Sequence, residues 1–308
     1  MIECTQLRKE FGDVVAVRDL SLTIPEKEIY GLIGPNGAGK TTTIRLACGL
    51  LTPTLGTVRV AGVDVNHSPE EAQQYIGYLA DFFSVYENLK VWEYVDYFAH
   101  AYKLPETAIS TRVAEVIAEV NLESKRDAFI AGLSRGMKQR LGIARAIIHR
   151  PKVLLLDEPA SGLDPKARIQ LRELLCSLRD KGTTILISSH ILTELEGLCT
   201  SIGIMEKGRL VRSGKMEEIA ADGVRSLLVR MAWVGDSELA EGKLRRSPLV
   251  SEICLADSSA VFRFSGSEEE LSGLLAMLVG EGIRVISFGE VKQTVEDVYM
   301  KISRHEVT

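Results

Sequence analysis

Nowhere does the chain carry the roughly twenty consecutive apolar residues that a bilayer-spanning helix requires. The opening stretch, Met1–Asp13, is charged within its first ten residues and lacks the apolar run of a secretory signal. A cytosolic chain is therefore expected, with any membrane role exercised through a partner. Cysteine is sparse as well. Cys4, Cys48, Cys176, Cys199 and Cys254 are scattered with no CxxC or histidine-containing spacing, which argues against a metal cluster or a disulfide framework and suits a reducing compartment. Positive charge is not in excess: the net charge is −5, whereas a nucleic-acid binder needs a basic face. No nucleic-acid partner is expected. What remains is an ordinary globular composition, 45% hydrophobic and 26% charged, on 308 residues, enough for one large and one small domain.

Alternating patterns predict short strands at Ile2–Leu7, Val14–Ala16 and Leu20–Ile24, with a turn at Pro25–Lys27. Glu28–Ile33 is an apolar run ending in glycines, and Thr41–Leu50 has helical spacing. A second strand pair, Thr57–Val60 and Val63–Val65, flanks Ala61-Gly62. From about Val91 to Arg150 the pattern is helical throughout. Val153–Leu156 and Thr184–Ser188 read as strands of a parallel sheet buried on both faces. Ile202–Met205 and Arg209–Ser213 form a hairpin around Glu206-Lys207-Gly208. Beyond Asp222 the order is strand (Arg225–Trp233), helix (Ser237–Arg245), strand (Val250–Leu255), strand (Ala260–Phe264), helix (Glu268–Gly280), strand (Arg284–Phe288), and a last helix at Val295–Arg304. The β-α-β-β-α-β part is ferredoxin-like.

Between an apolar strand and a helix lies Gly34-Pro35-Asn36-Gly37-Ala38-Gly39-Lys40-Thr41, which satisfies G-x-x-x-x-G-K-[ST]. In such a loop glycines let backbone N–H groups turn inward around a phosphate, the lysine reaches the β- and γ-oxygens, and the threonine hydroxyl ligates Mg²⁺. The helix that follows, beginning near Thr42, points its positive end at the same anion. A bound nucleotide follows from this loop alone; ATP as the ligand is expected once the further motifs are read with it.

Val153-Leu-Leu-Leu-Asp157-Glu158 is a buried strand ending in adjacent carboxylates. Side chains alternate across a strand, so one carboxylate can hold Mg²⁺ while the other polarises an attacking water. Upstream lies Leu133-Ser134-Arg135-Gly136-Met137-Lys138-Gln139-Arg140; downstream come Ser161-Gly162-Leu163-Asp164 and Ser188-Ser189-His190. Read locally, Ser134 is an N-cap for the helix bearing Met137, Leu141, Ala144 and Ile148, Asp164 is a turn former before Pro165, Phe11 is a core aromatic, and His190 is a bonded core histidine.

As an ordered set, however, these motifs resemble the nucleotide-binding subunits of ABC transporters over about residues 2–220. The closing Gln293–Met300 stretch is similar to the tail of ATPases that serve ABC-2-type exporters. The resemblance implies an α/β P-loop NTPase core with an N-terminal antiparallel β subdomain and a helical subdomain near residues 88–150, together making domain 1–221. A small α+β domain, 222–308, follows. It also implies an adenine-stacking Phe11, a γ-phosphate-contacting signature at Ser134 and Gly136, and Mg²⁺ at Thr41 and Asp157. Glu158 becomes the general base, His190 the switch histidine, and Asp164 the link between two sites. Asp81 falls where the family has Gln or Glu, and is expected near Mg²⁺ through water. Arg135 replaces a glycine of the usual signature, and activity is expected to persist.

Since the signature of one subunit serves the ATP of another, the resemblance implies a second ATPase subunit, identical or not. It further implies transmembrane permease subunits and a place on the inner face of the cell membrane. Ten of the eighteen aromatic residues fall between Tyr75 and Tyr102, and Phe82, Phe83 and Tyr86 are read as a groove for such a partner. A soluble ATPase of nucleic-acid or ribosome work is the competing reading. One phosphate loop, an acidic balance and no sustained heptads weigh against it.

Overall fold

The computed structural model describes residues 1–221, 227–235 and 237–290. The chain divides into two compact units, Met1–Met216 and Glu217–Thr308.

The first unit is built on two sheets. Strands β1 (Ile2–Phe11), β2 (Val14–Ile24), β4 (Leu55–Val60) and β5 (Val63–Asp64) form an antiparallel sheet in the order β2-β1-β4-β5. The second sheet joins β3 (Ile29–Ile33), β6 (Ile76–Leu79), β7 (Val153–Leu156), β8 (Thr184–Ser189), β9 (Ser201–Glu206) and β10 (Arg209–Lys215) in the order β10-β9-β3-β8-β7-β6. Its neighbours are parallel except for the β9–β10 hairpin. β3, β7 and β8 are buried along their whole length, which is why they read as unbroken apolar runs. Helix α1 (Lys40–Ala47) leaves β3, and α2 (Pro69–Gln73) precedes β6. A core of Ile2, Leu20, Ile24, Leu32, Ile44 and Leu155 fills the space where the sheets face α1.

One expectation and one competing local reading are corrected here. Val14–Ala16 and Leu20–Ile24 are one strand, not two. The interruption survives as a bulge: Leu7 pairs with Leu20 and Lys9 with Val17, and Asp19 takes φ +50°. Asp164, read locally as a turn former, starts the long helix α6 (Pro165–Asp180). Its carboxylate accepts the Ala167 amide at 2.8 Å, and Pro165 fills the first helical position.

Between β6 and β7 the chain is helical, as the pattern predicts: α3 (Val91–Ala101), α4 (Glu106–Glu119) and α5 (Arg135–Ile147) pack on one another. Two buried arginines lock this layer by serving each other's helix ends. From α4, Arg112 donates to the carbonyls of Ile147 (2.7 Å) and Ile148 (2.9 Å). From α5, Arg140 donates to those of Val120 and Asn121, both at 2.8 Å. Each guanidinium thus meets the negative end of a helix dipole and satisfies carbonyls that have no partner within their own helix.

Helix α7 (Met216–Ala221) bridges the boundary, and the second unit then runs β11 (Leu227–Val234), α8 (Ser237–Leu244), β12 (Val250–Ala256), β13 (Ser259–Phe264), α9 (Glu268–Gly280) and β14 (Arg284–Glu290). Its sheet is antiparallel with order β12-β13-β11-β14. Met231, Trp233, Phe262 and Phe264 pack beneath Leu244, Leu274 and Leu278. A capping box starts α9: Ser267 Oγ accepts the Glu270 amide, and Glu270 accepts the Ser267 amide. The expected final helix, Val295–Arg304, and the Gln293–Met300 stretch lie outside the described residues, as does the start of the strand expected from Arg225.

His149, just beyond α5, stacks on Tyr102 with ring centroids 3.9 Å apart, and its Nε2 bonds to the Ile76 carbonyl at 3.0 Å. Burial pushes its pKa down to about 4. An ordinary histidine titrates near 6.5, so the unfolded chain takes up a proton that the folded one refuses between pH 6.5 and 4. Stability therefore falls as pH drops through that window, by on the order of 3 kcal/mol for the full shift. Denaturant melts at pH 7 and pH 4.5 should show a smaller acid loss in His149→Gln than in the parent. An equal loss in both would contradict this.

Candidate active site

The glycine loop leaves β3 and turns into α1 with a geometry that only its residues permit. Gly39 has φ +101°, and a Cβ there would lie 2.4 Å from the Ala16 carbonyl oxygen. At Gly34 a Cβ would lie 2.3 Å from the Met205 carbonyl oxygen. Neighbouring strands thus press on the loop from behind. Lys40 is 4% exposed, and its Nζ donates to the carbonyls of Gly34 (2.7 Å) and Pro35 (3.3 Å).

The same ammonium lies 3.3 Å from Glu158 Oε1, so the loop and the end of β7 meet at this ion pair. Glu158 has φ +48°, a left-handed conformation that a glutamate adopts only at a cost. Its amide donates to Ser188 Oγ at 3.0 Å, which helps hold the bend. Its other oxygen, Oε2, is 2.7 Å from His190 Nδ1. A carboxylate only accepts, so Nδ1 carries the proton. Glu158 therefore stands between a lysine and a histidine, with 10% of its side chain exposed.

Asp157 points the other way, the bend at Glu158 separating the two carboxylates. It is 1% exposed, and its Oδ1 accepts from Thr41 Oγ1 at 3.1 Å and Ser188 Oγ at 2.7 Å. Ser188 thus braces the Asp157 carboxylate and the Glu158 backbone. Sequence reasoning quoted it within Ser188-Ser189-His190 without giving it this part; its place beside the histidine at a buried strand end was the available signal.

A cleft of about 550 Å³ opens over these groups. Asn36 to Thr42 form its floor, and Phe11, Asp81, Glu158 and His190 stand around it, joined by Ala16 and Ser161, to which sequence reasoning gave no part, and by Phe82, which it read as part of a partner groove. Phe11 is 47% exposed with Lys9 Nζ 5.0 Å from its ring centroid, so it is not a core aromatic. Asp81 has its pKa pushed up from the ordinary carboxylate value by burial first, then by the charges of Asp157 and Glu158.

Ser134, Gly136 and Asp164 stand apart from this cleft. Together with Met137, Arg140 and Ala167 they line a separate hollow of about 230 Å³. Ser134 caps α5, accepting the Met137 amide at 3.3 Å. Gly136 lets α5 approach α6, since a Cβ there would lie 2.8 Å from Ala167 Cβ. Arg135 donates to the Ser161 carbonyl at 2.9 Å and its guanidinium lies over Gly162, where φ is +65°.

The aromatic cluster divides. Tyr94 is fully buried and packs edge-on against Phe98 at 4.9 Å. Phe83 lies against α5, where a Cβ at Gly142 would meet its ring at 2.6 Å. Phe82 is 89% exposed and Tyr86 half exposed. Asp81, Phe82, Phe83 and Arg135 border a groove of about 540 Å³.

A phosphate loop feeding a parallel sheet, with adjacent carboxylates and a histidine at the neighbouring strand ends, defines a P-loop ATPase. The family model for "ABC transporter" matches residues 17–161. Over its whole length the chain is 34% identical to the Nod factor export ATP-binding protein I of Cupriavidus metallidurans, covering 98% of that protein. It is 33% identical to the bacitracin transport ATP-binding protein BcrA of Enterococcus faecalis, across 98% of this chain and 96% of that one. Among solved structures, cbiO1 from Clostridium perfringens, part of the ABC transporter complex cbiONQ, superposes with a TM-score of 0.65 at 28% identity, covering 72% of this chain and 91% of that one. The chain belongs to the ABC transporter ATP-binding proteins. It binds ATP and energises a transporter by hydrolysing it. Its fold is the ABC ATPase fold, with an additional C-terminal domain built on an antiparallel sheet. Among the described residues no helix is long and apolar enough to cross a membrane.

Asp81 borders the cleft, and among the described residues it makes no hydrogen bond to Thr41 or Asp157. Asp81→Glu should leave basal ATP turnover within about threefold. A fall beyond about a hundredfold, the scale of a lost acid–base group, would place the residue in the chemical step.

Proposed function

We propose that this subunit works as a dimer in which each ATP is closed between the Gly34–Thr42 loop of one chain and the Ser134–Gly136 turn of a second. The observation that carries this reading is the separation of the two hollows within one chain. The groups suited to grip phosphate and activate water stand around one, while Ser134, Gly136 and Asp164 line the other. A head-to-tail pair completes both at once.

In this assembly Phe11 stacks on the adenine, as its exposure permits. The N–H groups from Gly34 to Thr42 and the ammonium of Lys40 hold the β- and γ-phosphates. Thr41 and Asp157 offer hard oxygens 3.1 Å apart, a donor pair that suits Mg²⁺, which takes few protein ligands and fills its shell with phosphate and water. Asp81, which borders the same cleft, would reach Mg²⁺ only through water. When bound, Mg²⁺ neutralises charge on the phosphates.

Glu158 is the general base. Lys40 and His190 hold its carboxylate in place from two sides, and its bent backbone turns it away from Asp157. His190 senses the γ-phosphate, and Asp164, at the start of α6, connects the two sites of the dimer. Hydrolysis reopens the pair, and transmembrane permease subunits harvest that motion. The groove lined by Phe82, Phe83 and Val85, with the half-exposed Tyr86 next in the chain, suits short helices of such a partner, because exposed aromatics at a hollow need covering. Export is the direction supported by relatives named for Nod factor export. The subunit then sits on the inner face of the cell membrane.

We assign residues 1–221 to the ATPase domain, with residues 88–150 as its helical subdomain. Residues 222–308 form a ferredoxin-like accessory domain, a reading supported by the strand order β12-β13-β11-β14. Support of the dimer or regulation is its proposed part.

Glu158→Gln should lower turnover by about 10²–10⁴-fold while ATP still binds, and an ATP-dependent dimer should accumulate on gel filtration. Retained turnover would remove Glu158 from the mechanism. Combined Phe82→Ala and Tyr86→Ala changes should abolish stimulation of ATPase by the membrane partner and spare ATP binding. Undiminished stimulation would overturn the docking groove.

A further inference from the structure

Outside the cleft the structure holds a second covered carboxylate. Glu194 lies on the short 3₁₀ turn Leu192–Glu194 just past His190, and its side chain is 2% exposed. A charge so placed needs partners. Its Oε2 accepts from Ser189 Oγ at 2.8 Å. Its Oε1 makes no hydrogen bond among the described residues and faces Arg168 Nη2 at 3.4 Å.

Both partners lead to functional elements. Ser189 is the residue before His190, and its Oγ also accepts the Ile191 amide at 3.0 Å, closing the bend that presents the imidazole to Glu158. Arg168 belongs to the first turn of α6. Its amide donates to the Asp164 carbonyl at 3.0 Å, and Asp164 caps the same turn. One carboxylate therefore joins the bend that carries His190 to the helix that begins at Asp164. Lys40 and the carbonyls of the phosphate loop take no part in this set of contacts.

We propose that Glu194 is a positioning residue for hydrolysis: it clamps the His190 bend to the start of α6, so that the Glu158–His190 pair and Asp164 keep one fixed relation. A hydrogen bond to a charged acceptor is a stiff link, and the covered carboxylate anchors the ion pair from its buried side while Arg168 reaches it from the surface. Loosening either should misplace the water-activating pair and leave the phosphate grip intact. The inference rests on the roles proposed for Glu158 and His190, and those are tested separately by Glu158→Gln.

Steady-state ATPase assays of the full chain decide it. Glu194→Ala should lower kcat by about tenfold with KM for ATP within about twofold of the parent. Arg168→Ala should lower kcat in the same way. Because the two act as a unit, the double variant should be no slower than Glu194→Ala. Arg168→Lys, which restores the charge, should recover most of the rate. If Glu194→Ala fails to fold, Glu194→Gln replaces it. Glu194→Gln keeps the Ser189 bond, loses the ion pair and should match Arg168→Ala. Arg168 is 43% exposed, so its truncation leaves no buried void, and thermal melts should show both Arg168 variants folded. An unchanged kcat in Glu194→Ala or its Gln substitute would overturn the proposal. So would a rise in KM that matches the loss in kcat, or losses that multiply in the double variant.

Discussion

The carboxylate of Asp157 is the joint on which the site hangs. It is buried, and it accepts hydroxyls from two other elements: Thr41 at the start of α1 and Ser188 at the end of β8. Its own amide donates to the carbonyl of Leu79, the last residue of β6, at 2.9 Å. One side chain and one amide thereby tie together the ends of a parallel sheet. The cost of burying a charge is offset because each bond is charge-assisted and the strands that carry the donors are themselves fixed in a dry core.

From this joint the division of labour follows. The next residue, Glu158, must leave the strand in the opposite sense, and its φ of +48° does that at the expense of local strain. Ser188 receives its amide, Lys40 one of its oxygens and His190 the other. Everything that can grip phosphate or activate water is thus drawn to one end of the sheet. The turn at Ser134–Gly136 begins α5 where that helix packs against α6, and it borders a different hollow. The fold supplies two half-sites at separate places, and this separation favours a dimer more directly than any surface feature does.

Much of this was legible in the sequence because the chemistry forces particular residues. Gly34, Gly39, Lys40, Thr41, Asp157, Glu158 and His190 are dictated by backbone space, charge and strand alternation, and the structure brings them to one end of the sheet. Strands buried on both faces, such as Val153–Leu156, announce themselves by unbroken apolar runs. Elements that borrow their stability from elsewhere were silent. The four residues of β6 carry Gly77, whose missing Cβ lets the Ala146 carbonyl come close, so neither length nor pattern marked a strand. Asp164 was read locally as a turn because an aspartate before proline suits both a turn and a helix cap, and only the sixteen residues of α6 decide between them. Ser188 and Glu194 act through contacts with residues distant in the chain or across a bend, and no local pattern encodes those.

The central claim is that one ATP is served by two chains, and mixing two defective chains tests it most directly. Lys40→Ala removes the phosphate grip and leaves the Ser134 turn intact; Ser134→Arg blocks that turn and leaves the grip intact. Each variant alone should be nearly inactive. An equal mixture should regain about a quarter of the parental turnover, because half of the pairs are mixed and each mixed pair contains one complete site of its two. No recovery on mixing, or a Ser134→Arg chain as active by itself as the parent, would contradict the account.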